Sequence, residues 1–444
     1  MLRRFSYLVL CFCVFAVGCR TTDRYEGRLD DVVDSVTRGH IAEARSIHEV
    51  KIQAHPTLLS HFELGELYLL EGQIDRAIET MLAADAIVKE WESQTRLDPR
   101  LLLEDIGSIV VNDKIRSYKG YDFEKVLLTT RIALMHLILG DLDSARVAIK
   151  STHEREAMIQ QFRENQKSYR DSQGSYSVEE LNGYPIETIA TPEAEALRNS
   201  YQNALSHYLA GFIYEQLNEP SLAAPGYRNA LELRPKRGVL MDSLKGLESR
   251  MSRPQDDGKT DLLVIYEQGF APAKSSLEIY IPVPQNDRIL QVPVSFPIYP
   301  GMTSVVATEL SLDGYSLVFD DDVLDIDSMA RRSLKDEIPA ILLRTVTRAS
   351  FKTAIQNAAR EIDETGLLGD LIAVAAVASE SADDRSWRML PNKVGIGRIM
   401  VEKGEHQLTL NGRTIMNVQA AGRSMIVFIR DIGGQQYIQQ AVFN

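Results

Sequence analysis

A chain of 444 residues with 44% hydrophobic content is long enough for two or three domains with packed cores. A formal net charge of −13 excludes the broad basic surface that nucleic acid or anionic lipid requires. All three cysteines (Cys11, Cys13 and Cys19) lie near the start, so no disulfide framework can staple the body of the chain.

Arg3 and Arg4 followed by the uncharged apolar run Phe5 to Val17 read as a signal peptide, too short to span a bilayer and closed by small residues. Ala16-Val17-Gly18-Cys19 looks like a lipobox, where bacteria attach diacylglycerol to a cysteine and cut before it. Residues 1–18 are therefore expected to be removed, and 19–24 to form a lipidated Cys19 with a short tether. Removal of two arginines takes the charge from −13 to −15. Arg20, by resemblance to lipoproteins of two-membrane bacteria, points to the periplasmic face of the outer membrane. The tether reaches roughly 17 Å when extended, which keeps the rest close to the membrane.

Residues 25–250 read as helical. Leu64-Gly65-Glu66-Leu67-Tyr68, the turn at Gly72, then Ala77, Met81 and Ala84 resemble the tetratricopeptide repeat, a helix pair of about 34 residues with small side chains at its crossing. Ala210, Gly211, Tyr214, Ala223, Tyr227, Ala230 and Pro235 form a second match. Ile132, Ala133, His136, Gly140-Asp141, Ala145 and Ile149 form a weaker third, and Gly39-His40 with Ala42 and Ala44 a partial one. Three to five helix pairs with insertions are expected, with Tyr68, Tyr214 and Tyr227 as core aromatics. Stacked pairs leave a concave face suited to a peptide or a partner's helix. The polar stretch 165–192, with Tyr169, Tyr176 and Tyr184, reads as a loop inserted into the array. His40, His48, His55, His61, His136 and His153 lack metal-ligand spacing.

Residues 251–260 have a linker's composition, and 261–444 read as an α+β domain with antiparallel sheet. Leu290, Val292, Val294, Phe296 and Ile298 alternate as a half-buried strand, whose Pro293 and Pro297 place it at an edge. Asp313-Gly314 predicts a hairpin between Leu310–Leu312 and Tyr315–Leu317. Ile396–Val401 and His406–Leu410 are expected to pair around Lys403-Gly404, and Met425–Ile429, apolar on both faces, to be central. Gly433-Gly434 turns the chain into Gln436–Phe443. Helices are expected over 327–335 and 338–362, with Pro339 in the first turn of the latter, and a buried one at Leu371–Ala378.

No metalloprotease helix, phosphate loop, nucleophile elbow or dinucleotide fingerprint occurs, so no catalytic residue, cofactor or metal is assigned. Asp320, Asp321, Asp322, Asp325 and Asp327 lack the glycine and distal glutamate of a calcium loop and read as a solvated turn before a helix. The candidate interface is Trp387 with Arg385 and Arg388, or else Trp387 plugs the core while Arg385 pairs with Asp384. This cluster, with Tyr121–Val126 before the third repeat, resembles an uncharacterised family of bacterial envelope lipoproteins with helical repeats and a β-rich C-terminal domain. The resemblance implies a membrane-anchored adaptor, not an enzyme, that grips an envelope protein or peptide and assists envelope or wall assembly. A glycan-binding lipoprotein using Trp387 is the alternative.

Overall fold

The structure, a computed structural model, describes residues 25–54, 56–97, 117–173, 183–254, 256–285, 288–301, 308–342 and 382–444. Cys19 with the signal peptide, His55, Tyr176, residues 343–362 and Leu371–Ala378 lie outside the described residues.

Four helix pairs are present among the described residues: α1 (Tyr25–Thr37) with α2 (Ile41–Ala54), α3 (Leu58–Leu70) with α4 (Ile74–Leu97), α5 (Asp122–Ile138) with α6 (Leu142–Gln173), and, after the short α7 (Pro192–Glu195), α8 (Ala204–Gln216) with α9 (Pro220–Leu233). The same turn joins each pair. A residue with positive φ (Gly39 at 82°, Gly72 at 79°, Gly140 at 76°, Asn218 at 59°) follows the first helix. The next residue's N–H returns to the helix carbonyl five back: His40 to Ser35, Gln73 to Tyr68, Asp141 to His136 and Glu219 to Tyr214. These are Schellman caps, which satisfy carbonyls a helix end would otherwise leave bare.

Five residues after each turn stands an alanine (Ala44, Ala77, Ala145, Ala223), and all four are 0% exposed. The second helix crosses the first there, and a larger side chain would push them apart. Seven residues before the turn stand Val32, Gly65, Ala133 and Gly211, and the two glycines face Met81 and Tyr227, nine after it. A Cβ on Gly65 would lie 2.6 Å from Met81, and one on Gly211 2.6 Å from Tyr227. Glycine is required at both places because Met81 and Tyr227 already fill the volume.

Helices α10 (Gly238–Lys245) and α11 (Leu247–Met251) lead to the strands. These are β1 (Lys259–Gln268), β2 (Ser275–Gln285), β3 (Arg288–Ile298), β4 (Leu310–Leu312), β5 (Tyr315–Ser316), β6 (Phe319–Asp325), β7 (Lys393–Glu402), β8 (Gly404–Leu410), β9 (Arg413–Ala420), β10 (Ser424–Ile432) and β11 (Gln435–Phe443). They form a five-stranded sheet β11-β10-β1-β7-β6, a four-stranded sheet β5-β4-β8-β9 and a β2-β3 ribbon. All pairings are antiparallel except β1 with β10, which is parallel.

One face of the five-stranded sheet, with Leu263, Ile265, Ile396, Ile426 and Phe428, shares a continuous apolar core with the repeats. The opposite face, with Leu262, Val264, Met425, Val427 and Ile429, packs on Leu310, Leu408, Leu410 and Val418 of the four-stranded sheet. Helices, sheet and sheet thus stack in three layers. Coverage on both faces explains why β1 and β10 are apolar without alternation, each fully buried side chain contributing about 1.5–3 kcal/mol.

Several expectations change. Ile396–Val401 and His406–Leu410 do not pair with each other: β7 joins β1 and β6, whereas β8 joins β4 and β9. The hydrophobic faces of the two strands belong to different sheets, and the chain crosses between layers at Lys403-Gly404. A single helix runs over 326–342, straight through Pro339, held by the buried Ile338, Ile341 and Leu342. Residues 259 and 260 of the expected linker already belong to β1, and Arg253 grips Asp257 at 2.8 Å just before it.

Candidate functional site: the first-helix face of the repeats

In stacked helix pairs the first helices line the face that holds a partner. Here that face is buried. Helix α3 buries 11 of its 13 residues, and α5 buries 15 of its 17. An amphipathic helix buries one stripe, so burial all round means that something covers the second side.

The cover is a stretch of the same chain, residues 382–392, which turns at 388–390 and leads into β7. Trp387, 1% exposed, stacks on Phe62 of α3 with ring centroids 4.3 Å apart and planes 20° apart. Its backbone N–H donates to Glu124 Oε1 at 2.8 Å. The N–H groups of Arg388 and Met389 donate to the two oxygens of Glu63, each at 2.8 Å. Two buried glutamates on α3 and α5 therefore read the backbone of one segment, which has no ladder partner of its own to satisfy these donors. The repeats do hold a peptide; it is a piece of this chain.

Deeper, Arg131 of α5 sends Nε and Nη2 to Glu66 at 2.8 and 2.6 Å and Nη1 to Glu267 of β1. Arg430 of β10 donates to Glu267 at 3.4 Å and to the Met389 carbonyl at 2.9 Å. Two cations and two carboxylates close a neutral buried network linking helix layer, sheet and segment. Burial opposes the charge of Arg131, and the carboxylates of Glu267 and Glu66 outweigh it. Burial lowers Arg430 to about 10. A second network joins the last pair to the sheet: Arg398 of β7 pairs with Asp261 at 2.5 Å and Glu215 at 3.0 Å.

Glu124 also accepts from the Tyr121 N–H at 2.8 Å and from the Tyr118 hydroxyl. These donors favour its ionised form, but burial prevails and pushes the carboxyl up to about 8. A raised carboxyl keeps its proton when folded and loses it when unfolded. Its contribution is therefore full below the ordinary 4.5 and is lost as pH rises through about 8. Glu124→Gln is expected to flatten the stability profile between pH 5 and 8, removing on the order of 3 kcal/mol of the fall seen in the parent chain. Denaturant midpoints of both proteins across that range check it; parallel profiles would sink it.

The residues singled out in the sequence fall as follows. Leu64, Tyr68, Ala84, Ala133, Ala210 and Ala230 are buried in the repeats' core, Tyr214 is half-buried against it, and Pro235 is exposed just after α9. Trp387 is internal rather than a surface anchor, because Phe62 takes one of its faces. Arg385 pairs with Asp383 at 2.8 Å, and it lies over the Tyr118 ring at 5.3 Å. The acidic run is a strand and not a solvated turn. Asp320, buried in β6, accepts the N–H groups of Gly238, Val239 and Leu240 and so caps α10. Asp325 caps the 326–342 helix through the Ser328 N–H at 3.0 Å, and Asp327 holds Arg331 at 2.7 Å. Tyr184 of the inserted stretch is tied down by donating to the Pro297 carbonyl at 2.9 Å.

The sequence alone assigned no role to Glu63, Glu66, Glu124, Arg131, Glu267 or Arg430. A signal existed. Glu63 and Glu66 interrupt the otherwise apolar Phe62–Leu70, and Glu267 and Arg430 sit at matched ends of the two most apolar strands, paired in the register of β1 with β10. A charge inside a segment too apolar to have a solvent face needs a buried partner.

No family model matches the sequence, and no curated protein matches it. Two solved structures are similar in part. The TPR2AB domain of yeast Sti1 in complex with pHSP90 shows 13% identity and a TM-score of 0.21, over 51% of this chain and 70% of that one. A tetratricopeptide repeat protein from Parabacteroides merdae shows 14% identity and a TM-score of 0.14, over 50% of this chain and 98% of that one. At such TM-scores neither carries weight, and the repeat character rests on the four turns and the alanine crossings.

Proposed function

We propose that this chain is a non-enzymatic interaction adaptor of the bacterial cell envelope, anchored through a lipidated Cys19 and assisting envelope assembly. The observation that carries the reading is the dedication of the first-helix face to the chain's own 382–392 segment and sheet. The repeats thereby become one rigid platform with the C-terminal half, and partners meet the outer face made by the second helices. That face exposes an apolar side chain on the second helix of each successive pair: Val50 at 67%, Leu82 at 48%, Val147 at 66% and Leu222 at 44%. The glycan-binding alternative loses its anchor, since Trp387 has no face open to a sugar.

A photo-crosslinking amino acid at Leu82 or Val147 in the full chain tests this in the host. Capture of one envelope protein from these positions, lost with Cys19→Ala, supports the adaptor. Capture from neither position, with the chain plentiful at the membrane, removes it.

A further inference from the structure

Where the turn of the last helix pair meets the sheet, the end of α8, the end of α11 and the first residues of β1 and β10 surround a cleft of about 650 Å³. That lies within the range of small-molecule sites, about 300–1,000 Å³. Its charged lining comprises Glu215, Asp261, Arg250, Arg253 and Arg423.

The carboxylates are used up. Glu215 accepts from Arg250 at 2.7 and 3.1 Å, from Arg398 at 3.0 Å and from the Tyr227 hydroxyl at 2.6 Å. Asp261 accepts from Arg398 at 2.5 Å. Arg253 is matched by Asp257 through a fork of 2.8 and 2.9 Å.

Arg423 differs. Its Nη2 donates to the main-chain carbonyls of Arg250 and Met251 at 2.9 and 3.1 Å. Those contacts orient the guanidinium without neutralising it, and no carboxylate pairs with it among the described residues. Its Nε and Nη1 keep their N–H groups unused among the same residues. Arg250 and Arg253 of the same lining each pair with a carboxylate, Glu215 and Asp257, at 2.7 and 2.8 Å, so among the described residues Arg423 is the lining arginine without an acidic side chain of its own. A half-buried guanidinium, oriented by carbonyls and short of a carboxylate, is the donor set that planar oxyanions fit.

We propose that this cleft binds a small molecule carrying an oxyanion, a phosphate or a carboxylate, with Arg423 as the residue that holds that group. The inference is independent of the adaptor reading, because the cleft lies where the turns meet the strand ends and not on the outer helices.

The test is calorimetric titration of the full chain in detergent with inorganic phosphate and, separately, with acetate, at matched ionic strength. Saturable binding of either is expected, and the better of the two names the oxyanion. Arg423→Gln is expected to weaken it about tenfold or more, the loss of charge-assisted hydrogen bonds. Val442→Trp, a half-exposed lining residue enlarged without touching a charge, should weaken it as well by filling the cleft, and serves if Arg423→Gln fails to fold. No saturable binding of either anion overturns the proposal. So does binding that both variants leave unchanged, which would place the anion elsewhere.

Discussion

Replacing Arg131 by alanine is expected to destabilise the whole chain by about 3–5 kcal/mol, the range for removing one partner of a buried ion pair. Glu66 and Glu267 would be left beside each other with only Arg430, which already spends one nitrogen on the Met389 carbonyl. Glu66 is pushed up by burial and pulled down chiefly by Arg131, so losing the arginine drives it toward its protonated form. Part of the loss should therefore be recovered on acidification. Because the network joins α3, α5, β1 and β10, helix and strand signals should shift together in one transition. Guanidinium denaturation followed by far-ultraviolet circular dichroism and tryptophan fluorescence measures this. A change below about 1 kcal/mol, or a helical transition that moves alone, would show that the network does not join the layers.

The repeats were legible because their demands are local. A turn needs positive φ, which Gly39, Gly72 and Gly140 supply, and a crossing needs a small side chain, which the alanines supply. Asn218 meets the same backbone requirement as a non-glycine and escaped notice for that reason. The Asp313-Gly314 hairpin and the central place of β10 were legible from a two-residue turn and from the five apolar residues Met425–Ile429. What failed is non-local. The parallel pairing of β1 with β10 joins residues more than 150 positions apart, from Asp261 with Ser424 to Gln268 with Asp431, and nothing in either strand names the other. The β7–β8 error has the same root, since adjacency in sequence suggested a hairpin that the layering forbids.

The division into a repeat array, a linker and a separate domain is also recast by where the apolar surface goes. Leu263, Ile265, Ile426 and Phe428 of the sheet lie in one core with Phe62, Leu67, Leu128 and Met135 of the repeats. Separating the halves would expose both sides of that layer. Composition marks 251–260 as connective, and it is; connection does not imply independence when the faces on either side are apolar and complementary.

Trp387→Ala is expected to cost about 3–5 kcal/mol, the range for emptying a large buried aromatic site. The cost has two parts. The cavity left against Phe62 cannot collapse easily, because Glu63 and Glu124 pin the backbone on either side of the missing ring. Any shift of the segment to fill the void would strip those carboxylates of their N–H donors inside the core. Trp387→Phe keeps a ring against Phe62 and gives up no hydrogen bond, since the indole N–H has no partner among the described residues. It should therefore cost less than half as much. The comparison separates a packing role from a recognition role: a surface anchor truncated to alanine would leave the unfolding free energy within about 0.5 kcal/mol of the parent. If Trp387→Ala behaves that way, the segment is not held in the repeats and their first-helix face is free for another chain.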